Sequence, residues 1–356
     1  MRKPIFFGLL ALATLAPVAP AWSADSVTRK SAKGAISGDI TANTATELTI
    51  KPKSGDAVAI PANDIASVSW NGEPATLRLA RGDEDGGRLT RALDTYTKAA
   101  GTLNSPGPGL KADVEFAIAR TTAKIALADA TKLDEAISKL EAFRSKNADN
   151  YNHFEGQRLL GQLYMAKKDP NKARVAFETL GKAPWKDYQM ASKNFTARML
   201  LVESKSDEAA AAFDSVIGMK ADNPAEESQR QEAMLGKARI LTSQNKLGDA
   251  VNLLNDVINK ASPEDARVQA EAYVRQGDCL QAQGKDKDAI LAYLHVDVLF
   301  ASEKSLHAES LFHLTRLWSK LGQAGRAAET REKLENEYPN SEWARQLKGA
   351  PAEAAG

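Results

Sequence analysis

The sequence predicts a mainly α protein, an α-solenoid of six to seven helical hairpins preceded by a small all-β, barrel-like module. Three observations predict it. Short alternating β-branched segments are confined to residues 26–72. From Glu73 onward the apolar period becomes helical. A spacing of small and aromatic residues then recurs down the chain.

The first residues carry the three regions of an export leader. Arg2 and Lys3 are basic, and Ile5–Leu15 is apolar but too short to span a bilayer. Ala19-Pro20-Ala21-Trp22-Ser23-Ala24 supplies small residues for cleavage. Residues 1–24 are therefore expected to be a signal peptide, leaving a soluble protein of the periplasm or cell envelope. No later apolar run approaches the about 18 residues of a membrane span. The one cysteine, Cys279, lies far from the leader, which argues against a lipid anchor, and it has no second cysteine to pair with.

Residues 25–72 read as the β module. Ala35–Ile40, Glu47–Lys51, Ala57–Ile60 and Ile65–Trp70 are the strand segments, and Gly34, Asn43, Ser54-Gly55-Asp56 and Pro61–Asp64 are the turns. A meander of four or five such strands leaves exposed edges, and closure into a barrel removes them. The order of turn, Gly-x-Ile, polar hairpin, apolar strand and Ile-x-x-Val resembles small SH3-like or Sm-like barrels. Sm-like barrels that bind RNA are basic. Residues 25–73 hold five Lys or Arg against six acids, and the whole chain holds 47 against 46, so no nucleic-acid partner is expected.

Gly82-Asp83-Glu84-Asp85-Gly86-Gly87 has the colouring of a calcium loop, but a loop starting at Asp83 needs Gly where Arg88 stands. A solvated turn is expected there. Residues 347–356, rich in Ala and Gly, are expected to be a disordered tail.

Residues 73–346 carry the repeat. In Leu160-Gly161-x-x-Tyr164 and Gly277-x-x-Leu280 a small residue precedes a large one by three. Ala173 and Ala289 follow twelve after the small residue, and Phe177 and Tyr293 four beyond those. Small residues from both helices of a hairpin let them cross closely, and large ones fill the space beside them. The second-helix alanine recurs as Ala136, Ala173, Ala209, Ala250, Ala289 and Ala327, at spacings of 37, 36, 41, 39 and 38. The first-helix small residue is Gly161, Ala197, Ala238, Gly277 or Thr315, with Lys124 as an exception. Ala92, Tyr96 and Ala99 suit a degenerate first copy.

This pattern resembles the tetratricopeptide repeat. With the leader and the closing Tyr338-Pro339-Asn340-Ser341, it is similar to repeats of bacterial envelope proteins, such as those attending outer-membrane barrel assembly and the Tol–Pal system. The resemblance implies a binding groove along the first helices. Carried onto this chain, the groove positions are Arg158 and Gln162, Asn194 and Arg198, Leu235 and Arg239, Val274 and Asp278, and Phe312 and Arg316. Arg198, Arg239 and Arg316 share one position. Either they form a ladder for acidic or C-terminal peptide segments, or they pair with Glu155, Glu232, Glu271 and Glu309, which also recur.

Phosphate loops, nucleophile elbows and His-Glu-x-x-His motifs are missing, and His153, His295, His307 and His313 lack chelating spacing. No catalytic residue, cofactor or metal is therefore expected. The sequence reads as a non-enzymatic interaction scaffold whose partners are other proteins. The alternative is a structural subunit held permanently between neighbours, which a large exposed apolar patch favours.

Overall fold

The computed structural model describes residues 24–262 and 265–349. The expected signal peptide, residues 1–24, lies outside the described residues apart from Ala24, and so do the residues beyond Gly349. The chain divides into two compact units, the first ending at Ile118 and the second beginning at Ala119.

The first unit opens with β1 (Asp25–Arg29), β2 (Ala35–Asn43), β3 (Glu47–Lys51), β4 (Val58–Pro61) and β5 (Ile65–Ser69). All pairs are antiparallel and the sheet order is β4-β3-β2-β1-β5. β1 is the strand the sequence left unnamed. Its segment is short and polar, and it owes its conformation to partners on both sides, with Val27 opposite Ile36 and Val68. Val27, Leu48, Ile50, Ile60, Ile65 and Val68 are buried. Leu48 and Ile50 follow the two-residue period of a strand, and Ile65 and Val68 are three apart where the pairing with β1 is irregular. Closure is incomplete. β4 and β5 end the sheet and are joined by a 3-10 turn, Ala62–Asp64. Arg29 and Ser31, at the end of β1, clasp Asp64 of that turn at 2.7 Å each.

Helices α1 (Ala75–Asp85) and α2 (Leu89–Thr102) and the start of α3 (Pro108–Ala128) complete this unit. Leu77, Ala80, Ala92, Tyr96, Ala99, Leu110, Val114 and Ala117 form its helical core, with Trp70 packed against it. Trp70 follows the last strand directly. Its ring occupies the space above Gly109, where a Cβ would lie 2.3 Å from the indole, and its Nε1 donates to Asp113 at 3.0 Å. The expected solvated turn at Gly82–Gly87 is instead mostly helix. α1 runs through Gly82 to Asp85, because Arg88 and Arg91 hold the Asp83 carboxylate and the Tyr96 hydroxyl donates to buried Glu84. Only Gly86 to Arg88 make the turn.

The second unit holds α4 (Leu133–Lys146) and then five hairpins. These are α5 (His153–Ala166) with α6 (Pro170–Leu180), α7 (Lys186–Val202) with α8 (Ser206–Ile217), and α9 (Pro224–Ser243) with α10 (Leu247–Lys260). α11 (Ala266–Ala282) with α12 (Asp286–Leu299), α13 (Lys304–Lys320) with α14 (Ala324–Glu337), and a final α15 (Glu342–Gly349) follow. From α7 onward each first helix also lies against the next first helix: α7 on α9, α9 on α11, α11 on α13. This is the tetratricopeptide-type solenoid of the sequence.

The repeat frame has a direct physical basis. All six second-helix alanines are buried. The first-helix glycines make room for the aromatic ring more than for the alanine. A Cβ on Gly161 would lie 2.2 Å from the Phe177 ring, and one on Gly277 would lie 2.6 Å from Tyr293. Turns use left-handed residues where the helix must stop, at Lys168, Ser204, Asn245, Gly284 and Gly322. Residues 347–349, expected in a disordered tail, are helical. Leu347 and Ala344 of α15 are buried with Ala308, Leu311, Phe312 and Leu334, and so cap the last hairpin.

Candidate functional site

The first helices α5, α7, α9, α11 and α13 present the residues that the sequence singled out. They sort into two sets. The position three before the small residue is packed, not open. Leu235 and Val274 are at most 1% exposed. Asn194 is buried, its amide donating to the Gln229 carbonyl at 2.8 Å. Phe312 is buried beside Trp343 of α15, ring centroids 5.2 Å apart. Arg158 is half-buried; its Nε and Nη2 donate to the two oxygens of Glu155 at 2.8 and 2.5 Å, and its Nη1 to Gln162 at 3.5 Å. Leu235, Val274 and Asn194 are taken up by the packing between helices, Phe312 by α15, and Arg158 by acceptors on its own helix.

The position one after the small residue is different. Arg198 pairs with Glu232 on the next first helix, and Arg239 with Glu271 on the next again at 2.6 Å. Where the following copy has Asp278 instead, Arg275 from two residues before Gly277 supplies the guanidinium. It bonds Asp278 at 2.6 Å and Glu309 at 2.8 Å. Arg267 adds a second cation between Glu232 and Glu271. A chain of alternating charge thus runs across α7, α9, α11 and α13.

Two arginines are left partly free. Arg239 is half-exposed and spends one nitrogen on Glu271. Arg316 is exposed, stacks its guanidinium 5.6 Å from the centroid of the Phe312 ring, and has no ion pair among the described residues. Arg239, Thr242, Arg275 and Asp278 line an open cleft of about 370 Å³. Beneath it, Tyr293 donates to Asp278 at 2.8 Å, and His313 stacks on Tyr293 with centroids 4.8 Å apart. Sequence reasoning missed Arg267 and Arg275. Arg267 was visible as an i, i+4 partner of Glu271, but Arg275 is a substitute found only once Asp278 is seen to invert the pattern.

Protonation follows from this packing. Burial opposes charge on Glu271, but Arg239, Arg267 and Arg198 around it outweigh burial and hold its carboxyl below the usual range. Glu309 goes the other way, because burial outweighs Arg275 and raises it. A lowered folded-state value gives stabilisation that is present above the unfolded carboxylate pKa of about 4.3 and lost as pH falls through the folded value. Glu271→Gln is therefore expected to be less stable than the parent at pH 7, with the gap closing between about pH 5 and pH 3. Urea midpoints at the two ends of that range test it, and a gap independent of pH would refute it.

Among the described residues no group of three His, Cys, Asp or Glu side chains is placed to hold a metal. Cys279 is buried and in contact with Thr242 Oγ1 at 3.1 Å, and burial raises its thiol pKa. His307 is fully buried between Asp297 and the Tyr338 hydroxyl, at 2.7 Å each, and knots α12, α13 and the end of α14 together. No helix among the described residues is long and apolar enough to cross a membrane.

Residues 196–266 match the tetratricopeptide repeat family model. No curated protein matches the chain by sequence. Among solved structures, a Rap protein complexed with Competence and Sporulation Factor is 14% identical over 76% of this chain and 78% of its own, with a TM-score of 0.51. A tetratricopeptide repeat protein from Parabacteroides merdae is 17% identical over 76% of this chain and 95% of its own, with a TM-score of 0.49. PilW, described as a widely conserved type IV pilus biogenesis factor, is 17% identical over 65% of this chain and 98% of its own, with a TM-score of 0.44. At such identities the likeness is one of fold.

Proposed function

We propose that this tetratricopeptide-repeat protein is an exported, non-enzymatic interaction scaffold that takes an acidic partner segment along its first helices. The observation that carries the reading is the half-exposed Arg239 guanidinium at the mouth of a cleft it shares with Arg275 and Thr242. Arg316 stands exposed at the equivalent position two copies on. An extended segment with carboxylates suits guanidinium donors, which can give one carboxylate two parallel hydrogen bonds. Arg158 and Arg198 belong to the scaffold's own ion pairs and are not assigned to the partner. Export rests on the basic, apolar and small-residue regions of residues 1–24.

The test uses a fluorescent peptide ending in a run of Asp and Glu against an uncharged control. Binding of the acidic peptide is expected to fall with salt, and at least about tenfold in the Arg239→Gln/Arg316→Gln variant. Arg198→Gln should instead lower the melting temperature and leave binding in place. Equal affinity of the parent and the double variant would remove the arginines from the function. The N-terminus of protein purified from cells, read by mass spectrometry, tests export: loss of the first 21 to 24 residues is expected, and an intact leader refutes it.

A further inference from the structure

The second helices carry a feature that the first-helix face does not use. α12 exposes Leu291, Val298 and Leu299 at 58%, 73% and 62%. Leu291 and Val298 are seven residues apart, two turns along one face. His295 lies between them on that face, exposed, with its ring stacked on Tyr273 at 4.5 Å. Contiguous exposed apolar side chains of this kind mark an interaction surface.

The repeat frame shows what fits it. α10 and α14 are the second helices of the copies before and after α12. Their charges can be compared position by position, counting from the buried Ala250 and Ala327. One residue before the alanine stand Asp249 in α10 and Arg326 in α14; six after it, Asp256 and Lys333; ten after it, Lys260 and Glu337. At these three positions α10 reads acid, acid, base where α14 reads base, base, acid. α14 also carries Glu329, Arg331, Glu332 and Glu335, where α10 has Asn252, Leu254, Asn255 and Ile258. Asp256 bonds Lys260 within α10 at 2.6 Å. Asp249, Arg326, Lys260 and Glu337 are exposed, and Asp256 and Lys333 are half-buried, Lys333 bonding Asp297 of α12 at 2.7 Å. The apolar stripe lies between two helices of opposite charge order.

We propose that this face is an isologous contact with a second copy of the chain, α12 packing parallel on α12 about a two-fold axis along the helix. That axis exchanges the two sides of the stripe, so α10 of one copy comes over α14 of the other. At the three positions charged on both helices each residue then meets its opposite, Glu329 and Glu332 of α14 come over the uncharged Asn252 and Asn255 of α10, and Leu291, Val298 and Leu299 meet their own counterparts. The aliphatic stripe supplies the area removed from water, and the flanking charges set register. The antiparallel two-fold is disfavoured, because it would lay the first turn of α12, with Lys287 and Asp288, over the end that carries Leu299. This surface is separate from the Arg239 cleft, so either proposal can fail alone.

Sedimentation equilibrium of the protein as purified from cells, from about 1 to 100 µM, is the test, a range that spans common dimer affinities. A reversible monomer–dimer equilibrium is expected. Val298→Glu sets two carboxylates against each other on the axis. It should weaken the dimer about a hundredfold or more with an unchanged circular dichroism spectrum, as exposed substitutions leave folds intact. Asp249→Lys should weaken it about tenfold by opposing Arg326 with a like charge, and adding Arg326→Glu should restore it. The two residues lie in different hairpins of one chain, so rescue reports the contact between copies. A monomer at every concentration overturns the proposal, as does a dimer indifferent to Val298→Glu. Rescue of Asp249→Lys by Lys260→Glu in place of Arg326→Glu overturns the parallel pairing.

Discussion

Replacing Ala289 by Arg is expected to lower folding stability by about 3 kcal/mol or more, through overpacking together with a buried, unpaired cation. Ala289 is fully buried in the core that contains Ala270, Val274, Tyr293, Leu314 and Leu317. Beside it the Tyr293 ring already fills the space left by the missing side chain of Gly277. A guanidinium has nowhere to go except through that ring or out by prising the hairpin open. Lys285, four residues earlier, is the control. It is exposed, makes no side-chain cap bond, and contributes its backbone, whose carbonyl accepts from the Ala289 amide at 3.0 Å. Lys285→Ala should therefore change stability by less than about 0.5 kcal/mol. Equal urea midpoints for the two variants would show that the close crossing lies elsewhere.

Trp70→Ala is the second large effect, about 3 kcal/mol, in the range of a large aromatic removed from a packed site. The indole seals the helical core of the first unit. It lies on Gly109 of α3, bonds Asp113, and sits beside the cluster of Leu77, Tyr96 and Leu110. Its loss opens a cavity where the last strand hands over to the helices. Trp70→Phe keeps much of the packing and gives up the Nε1 bond, so about 1 kcal/mol is expected. The ratio is the informative quantity: if Phe costs as much as Ala, the bond to Asp113 dominates and the packing account fails. The same contact bears on modularity. Residues 25–72 prepared alone would expose this ring, and circular dichroism of that fragment, compared with residues 25–118, measures how far the strands depend on α1–α3.

The repeat was legible because its signal is steric. Only Gly or Ala fits where a ring or helix approaches closely, so Gly161, Ala173, Ala250 and Ala289 announce their places whatever surrounds them. The site was less legible because a groove position is defined by what lies across it. Leu235, Val274, Asn194 and Phe312 share a frame with Arg158, yet the neighbouring first helix or α15 covers them. The pairing of Arg198 and Arg239 with Glu232 and Glu271 was one of two readings of the same residues, and distances of side chains separated by more than thirty residues were needed to choose. β1 was illegible for a related reason, since five mostly polar residues become a strand through β2 and β5 rather than by their own preference. The end of α1 was misread because Asp83 and Glu84 look solvated in sequence, and their partners Arg88, Arg91 and Tyr96 come later in the chain.

The joints from α7 to α9 and from α9 to α11 share one design. A guanidinium one residue past the small position reaches a glutamate six residues before the next small position, as in Arg198 to Glu232 and Arg239 to Glu271. Such a joint is indifferent to which copy stands on its far side. Were the period between Arg198 and Arg239 excised whole, Arg198 would meet Glu271, a glutamate in the same place in its own copy. A cut of any other length would strand an ion in a partly buried seam. Across α7 to α11 the array is therefore quantised: these joints accept the loss or gain of a complete hairpin and resist change in smaller steps.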